Sequence, residues 1–210
     1  MTQEQSYFTA DVTTGQKNAV FKELAGQMRV GTAGEVVLGI CSREWVLQHR
    51  PKFWMEGDLI RFNVVTNGRS GEEWIRVLRS QGKRLSGEAE RVLRSPDFIP
   101  TTGQNIEVAV LRGELFADRE RFTRNVRAEA VRRCLGEINM EVACLIREKF
   151  TDKQIEEMGL WWIIVMHQGP VLLGGCRRAG GSWLRADYDG PGFGWYRVGG
   201  FAFSVPQVDI

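Results

Sequence analysis

The sequence has few of the residues that usually carry catalysis or bind metal ions. Its 210 residues include only four cysteines and two histidines. The cysteines form no CxxC pair and the histidines do not stand beside them, whereas a tetrahedral metal site needs such close pairs. The patterns GxSxG, HExxH and the EF-hand loop are also missing. We therefore expect no metal and no cofactor, and the sequence favours a protein that is not an enzyme.

A long hydrophobic run is missing as well. The longest run, Leu160 to Met166, has the length of a strand, whereas a membrane helix needs about 20 apolar residues. The N-terminus has neither the basic nor the apolar region of a secretory signal. These absences predict a soluble, cytoplasmic protein without membrane contact, whose cysteines stay as free thiols.

The charge is nearly balanced. The chain has 28 Lys and Arg against 26 Asp and Glu, which gives a net charge of +2. This excess is too small to indicate nucleic acid or an anionic membrane as a partner. The hydrophobic fraction of 43% is ordinary for a globular protein and allows a cooperative core.

Several helices are marked by their end residues. Ser70 and Glu73 have the spacing of a capping box, and Ser86 precedes a second helix. The spacing of Thr151 and Gln154 predicts another capped helix. A long helix is predicted over 118–136, with Asp118 near its positive end. These elements place the helices in the middle of the chain.

Strands are predicted on both sides of these helices. Runs rich in β-branched and aromatic residues indicate strands over 58–66 and 105–113. From Leu160 onward the pattern is that of an antiparallel meander, built on Leu160–His167 and Phe201–Val205, with Gly-rich turns such as "LGGC" between its strands. The prediction is an α+β fold with central helices and a C-terminal antiparallel β-sheet. Residues 1–210 form one domain, or residues 1–57 form a separate small unit.

Aromatic residues near glycines in the C-terminal part are the leading candidates for a binding surface. Trp183, Tyr188, Trp195 and Arg197 could form a platform that recognises a protein or a small ligand. The same aromatic residues could equally be the core and the edge of a small sheet. The leading hypothesis is thus a binding or accessory protein that uses this aromatic, Gly-rich surface.

A second hypothesis is nucleic-acid binding by residues 70–94. Two short helices joined by "GKRL" have the outline of a helix-turn-helix, and Arg79, Lys83, Arg84 and Arg91 could contact phosphates. Acidic residues in the same helices dilute this charge. An ordinary helical corner explains the pattern better, so nucleic acid is not the favoured partner.

A third hypothesis is a hydrolase or transferase. His167 ends a buried strand and Cys176 lies on the next one, so His167 could act with Cys176, as a base with its nucleophile, or with a nearby carboxylate. Such a pair needs contact between the side chains and a third group that orients the base. A strand-end histidine bonded to the backbone is the commoner case.

Most of the chain after residue 58 resembles a family of uncharacterised bacterial proteins, many of them from metagenomic assemblies. The segments that carry the resemblance are "RFNVVTNGRSGEEWI", "SPDFIPTTG", "EVAVLRGELF", "EVACLIREKFTDKQIEEMGLWWIIVMH" and "GFAFSV". The resemblance covers roughly three quarters of the chain. It implies no activity and transfers no functional residue.

Overall fold

The protein is described by a computed structural model over residues 52–178 and 180–206. By its contacts the chain divides into two units, Met1–Arg50 and Pro51–Ile210, and the described residues belong to the second. The question whether residues 1–57 form a separate unit concerns mainly residues outside this part. Within the described residues, no helix is long and apolar enough to cross a lipid bilayer.

The described unit is built on one mixed sheet of eight strands, in the order β1-β2-β4-β8-β5-β6-β7-β3. Most neighbours are antiparallel, but β5 pairs parallel with β8, and β3 pairs parallel with β7. The strands are β1 (Trp54–Glu56), β2 (Leu59–Asn67), β3 (Arg84–Leu85), β4 (Thr102–Arg112), β5 (Trp162–Val165), β6 (Val171–Arg178), β7 (Gly181–Tyr188) and β8 (Gly199–Ser204).

Five short α-helices and one 3₁₀ turn, Gly113–Leu115, accompany the sheet in the described residues. Both predicted capping boxes are confirmed, at Ser70 with Glu73 and at Thr151 with Gln154. The Ser86 hydroxyl also accepts from the Ala89 amide, as predicted. The helices are α1 (Gly71–Ser80), α2 (Gly87–Leu93), α3 (Thr123–Arg132), α4 (Glu141–Lys149) and α5 (Asp152–Glu157).

The predicted arrangement of central helices with a separate C-terminal sheet is wrong. The early strands β2 and β4 join the same sheet as the C-terminal strands, because β4 pairs with β8 from Val108 to Arg112. The sequence identified β2 and β4 as strands, but pairing across about 90 residues leaves no local pattern. The helices therefore flank a sheet that extends through the whole described unit.

The two faces of the sheet have different covers. We call one the helix face: Ile163, Val165 and Leu173 point there into a core with residues of α1, α2, α4 and α5. The opposite face carries Ile164, Phe201 and Phe203, which pack against Val126 and Ala130 of α3. Phe201, Phe203 and Val205 all lie on this face, as the two-residue period of a strand requires. Helix α3 covers the middle of the opposite face, and the side of β6 and β7 carries the cavity described below.

Helix α3 is shorter than predicted. It begins at Thr123 and ends at Arg132, whereas the charge pattern indicated residues 118–136. Asp118 lies before the helix, where its carboxylate accepts from the Arg121 guanidinium at 2.7 Å. The acidic residue that indicated a helix start instead stabilises the loop that leads into the helix.

Candidate functional site

A cavity of about 340 Å³ lies on the opposite face of the sheet, over β5, β6 and β7. This volume falls at the small end of the range, about 300–1,000 Å³, in which proteins hold small molecules. Strand residues form its floor, and the loop before β8 forms its wall. The lining residues are Trp161, Trp162, Ile164, Gly174, Cys176, Arg177, Arg178, Arg185, Asp187, Phe193, Trp195, Tyr196 and Val198.

The floor follows from the alternation of side chains along neighbouring strands. Trp162 lies directly opposite Cys176, and Ile164 lies opposite Gly174. On the next strand, Arg185 pairs with Gly174, and Trp183 pairs with Cys176. Directly paired residues point to the same face. The apolar row is therefore Trp162, Cys176 and Trp183, and beside it lies the row of Ile164, Gly174 and Arg185, which carries the charge of Arg185.

Gly174 keeps the floor open. It pairs with Ile164 on one side and with Arg185 on the other, and it has no side chain to fill the space between them. A Cβ at this position would lie 3.1 Å from the Ile163 carbonyl oxygen. Any larger residue would therefore crowd β5 as well as fill the cavity.

The aromatic wall is fixed by a buried arginine. The Arg121 guanidinium donates to the Gly113 carbonyl at 2.8 Å and to the Phe116 carbonyl at 3.0 Å. The Trp195 amide donates to the Arg121 carbonyl at 2.8 Å, and its indole Nε1 donates to the Thr123 hydroxyl at 2.9 Å. These bonds attach the wall to α3 and to the 3₁₀ turn, so the cavity is formed without a ligand.

The wall presents aromatic rings at edge-to-face angles. The ring centres of Phe193 and Trp195 are 4.7 Å apart, and those of Trp162 and Tyr196 are 5.5 Å apart. Trp161 and Tyr196 remain largely exposed, with 64% and 71% of their surface accessible. Such rings offer faces and edges to a planar apolar group.

Two arginines beside this wall have no acidic partner. In the described part of the chain, most arginines are ion-paired, as Arg133 is with Asp58 at 2.5 Å. Arg178 and Arg185 form no ion pair with any described residue, and Arg185 is half-buried. Asp187 is the carboxylate that lines the cavity, and it too lacks an ion pair among the described residues. A partly desolvated, unpaired guanidinium favours an anion from outside the chain.

Cys176 lies at the centre of this charged floor and is almost fully buried. Burial raises the pKa of its thiol, while the positive charges of Arg185 and Arg178 lower it to a smaller extent. The net pKa lies above the ordinary value, so the thiol stays protonated at neutral pH. Cys176 is therefore a neutral part of the floor and is not an activated nucleophile.

His167 and Cys176 are not brought together. Cys176 pairs with Trp162, and His167 lies beyond the end of β5, roughly 16 Å further at about 3.3 Å per residue. The His167 Nδ1 lies 2.7 Å from the Gln168 carbonyl oxygen, as in a strand-end histidine bonded to the backbone. The proposed nucleophile and its base thus lack the contact that they need. Another role for His167 in catalysis stays a prediction.

Of the four predicted contact residues, Trp195 alone lines the cavity. Trp195 is also part of the core, with 7% of its surface accessible. Trp183 stacks beneath the Arg84 guanidinium at 5.6 Å from its ring centre. Tyr188 is exposed at the end of β7, and Arg197 is exposed near Asp118, whose pKa it helps to lower.

The basic residues of segment 70–94 do not form one unpaired patch. Arg79 is paired with Glu90, and Arg91 is paired with Glu88 at 2.6 Å. Arg84 stacks on an aromatic ring, and burial lowers the pKa of Lys83. Strand β3 lies between the two helices and pairs with β7, so the connection is not a simple turn. Nucleic-acid binding by this segment stays a prediction.

Most of the cavity residues were not predicted from the sequence, although the sequence contains a signal for them. In "LLGGCRR" and "GSWLRADY" a period of two places Gly174, Cys176 and Arg178 on one face, together with Arg185 and Asp187. The glycines of "LGGC" were assigned to a turn, but Gly174 and Gly175 lie inside β6. That assignment was wrong. Because of it, the alternation of side chains along β6 was not recognised.

Comparison with known proteins adds no relative. No family model, no curated protein and no solved structure matches the chain. The resemblance to uncharacterised bacterial proteins stays a prediction. Across the described residues, no group of three or more His, Cys, Asp and Glu side chains could hold a metal ion. The cavity is accordingly interpreted from its own geometry.

Proposed function

We propose that the protein binds a small molecule in the cavity over β5, β6 and β7. The observation that carries this proposal is an open, aromatic-walled cavity whose floor has a glycine where its neighbours have side chains. Apolar concave sites with a few polar groups are the usual form of ligand sites. The proposed binding surface is therefore this cavity, which includes Trp195 but not Trp183, Tyr188 or Arg197.

The rigidity of the wall supports binding rather than a gap in the core. Arg121 fixes the loops through backbone carbonyls, and Trp195 is bonded to Thr123. A preformed site loses little conformational entropy when a ligand enters, which favours affinity. A binding role also agrees with the protonated state of Cys176 and its distance from His167.

The test is a thermal-shift screen of a library that spans anionic, cationic and neutral small molecules. A ligand at 100 times its Kd stabilises the folded state by about 2.7 kcal/mol, which raises the Tm by roughly 5–10 °C. We expect at least one compound to produce such a shift in the wild-type protein. We also expect Cys176→Leu to abolish that shift, because the larger side chain enters the cavity from its floor.

The matched control is Cys176→Ser, which keeps the size of the side chain and should keep the shift. The Tm of both variants without ligand shows that each is folded. The proposal is contradicted if no compound in the library shifts the wild-type Tm. It is equally contradicted if Cys176→Leu responds to the same compound as the wild type does.

A further inference from the structure

We infer that the ligand of this cavity is a planar aromatic compound that carries an oxyanion, such as a carboxylate or a phosphate. This inference rests on the proposed function, since it names the chemical class that the same cavity takes. It has two sources in the structure: the placement of Arg178 and Arg185, and the shape of the aromatic wall.

Arg178 and Arg185 lie on either side of Cys176 in the register of the sheet. Arg178 follows Cys176 on β6 by two residues, so it lies on the same face about 6.6 Å further along the strand. Arg185 pairs with Gly174, which makes it a diagonal neighbour of Cys176 at about 7–8 Å. Burial raises the pKa of the Cys176 thiol, the charges of Arg185 and Arg178 lower it, and the charge of Asp187 raises it to a smaller extent. An anionic group above Cys176 would therefore contact two guanidiniums.

These arginines are available to an external anion because no described carboxylate pairs with them. Many arginines of the described part of the chain have acidic partners, as in the contact of Arg94 with Glu72 at 2.5 Å, whereas Arg178 and Arg185 combine the lack of such a partner with a position in the cavity lining. Guanidinium groups form their strongest hydrogen bonds with carboxylates and phosphates. The arginines thus define the anionic end of the ligand.

The aromatic ring of the ligand would lie next to its anionic group, against the aromatic wall of the cavity. Trp162 is the direct partner of Cys176 on the other side, and Tyr196 packs edge-on against Trp162. A planar ring above Ile164 and Gly174 would contact these aromatic side chains while its anionic group reaches toward β7. The volume of about 340 Å³ admits one or two fused rings and excludes a bulky polymer.

Asp187 sets the direction in which the ligand lies. Along β7 it follows Arg185 by two residues and pairs with Leu172, so it lies further from Cys176 than Arg185 does. An oxyanion would be repelled from Asp187 and attracted to the arginines. The ligand therefore enters with its anionic group toward Cys176, and Asp187 is free to accept a hydrogen bond from a donor on the ring.

The test is isothermal titration calorimetry with ring-matched pairs of compounds. Naphthalene-2-carboxylate is compared with naphthalene-2-carboxamide, and adenosine monophosphate is compared with adenosine. We expect an anion to bind at least about tenfold more tightly than its neutral partner, as for a charge-assisted hydrogen bond. The first pair represents free aromatic acids and the second represents nucleotides, so the tighter pair identifies the source of the oxyanion.

Variants locate the interaction. Arg185→Gln and Arg178→Gln should each weaken the binding of that anion at least about tenfold. Neither substitution should change the affinity for the neutral compound of the same pair. Arg91→Gln is the matched control, because it removes the same charge from α2, away from the cavity, and it should leave both affinities unchanged.

Three outcomes overturn the inference. The first is equal affinity for the anionic and neutral members of both pairs. The second is an anion affinity that neither Arg185→Gln nor Arg178→Gln reduces. The third is that neither anion binds. If the thermal-shift library then still yields cationic or neutral ligands whose Tm shift is abolished by Cys176→Leu, the inferred ligand class is wrong, while the proposed function stands. If the library yields none, both fail.

Discussion

Two adjacent glycines in β6 have different roles, one on each face of the sheet. Gly174 leaves the cavity floor open, whereas Gly175 lies on the helix face beside Arg147. A Cβ at Gly175 would lie 3.4 Å from Arg147 Cδ. Arg147 is fully buried and donates to Asp152 at 2.8 Å and to the Phe150 carbonyl at 2.6 Å. The two neighbouring glycines thus face the open cavity on one side of the sheet and a buried ion pair on the other.

His167 has a structural role that its surroundings explain. Arg127 donates to the His167 carbonyl at 2.9 Å and is also paired with Asp189 and Glu137. Burial lowers the pKa of the His167 imidazole below its ordinary value, and the charge of Arg127 lowers it further, while the hydrogen bond with the Gln168 carbonyl and the charges of Asp189 and Glu137 oppose the shift. The folded protein therefore favours the neutral imidazole.

This shift predicts a pH dependence of stability. The unfolded chain takes up a proton at His167 near pH 6.5, whereas the folded chain does so only at lower pH. The contribution of His167 is thus present above about pH 6.5 and is lost as the pH falls through the folded-state pKa. Urea denaturation from pH 7.5 to 5 should show a decreasing free energy of unfolding, and His167→Asn should reduce that decrease.

Carboxylates are a separate source of acid sensitivity. Arg133 lowers the pKa of Asp58, and Arg132 lowers that of Glu129, so their contributions are lost below their ordinary values near pH 4. The range from pH 6.5 to 5 therefore separates His167 from these carboxylates, and the comparison with His167→Asn separates it from His49. An identical pH slope in the wild type and in His167→Asn would contradict this account of His167.

At the scale of single elements, the helix ends were predicted well because capping is local. A side-chain oxygen and an amide three residues later are enough to define the start of a helix. Ser70 and Glu73 bond to each other's backbone in this way, with Glu73 Oε2 accepting from the Ser70 amide at 2.8 Å. Helix α3 was misplaced because its cap position, Phe122, makes no side-chain cap bond.

The capping box of α1 gives a prediction at this scale. Ser70→Ala removes the acceptor for the Glu73 amide and should lower the free energy of unfolding by about 1 kcal/mol. Ser80→Ala, at the other end of α1, is the control and should change it by less than about 0.5 kcal/mol. Urea denaturation measures both. Equal effects of the two substitutions would show that the capping box does not stabilise the helix.

At the scale of the whole molecule, the strand order is the feature that could not be predicted from the sequence. The strand predicted over 105–113 is present, and its two-residue period puts Val108 and Val110 on one face. That period contains no information about which strand lies beside them, since that depends on hydrogen bonds and packing between distant segments. The parallel pairing of β5 with β8 likewise needs the intervening hairpin of β6 and β7 to fold beside β5.

The candidate site could be predicted only in part for the same reason. The aromatic residues of the C-terminal part were identified as a binding surface, and Trp195 does line the cavity. Arg178 and Arg185 become neighbours only through the register of the β6–β7 hairpin, and Trp162 joins them only through β5. In the sequence alone, these residues cannot be distinguished from ordinary strand residues.

The most direct test of the account is the position of the ligand, measured by the indole N–H signals of the tryptophans in a ¹⁵N-labelled sample. On titration with naphthalene-2-carboxylate or adenosine monophosphate, whichever binds, the signals of Trp161, Trp162 and Trp195 should shift. The signal of Trp74 is the internal control, because Trp74 is fully buried on the helix face and should not move. A bound ligand that leaves the three cavity tryptophans unchanged would contradict the central claim that this cavity is the binding site.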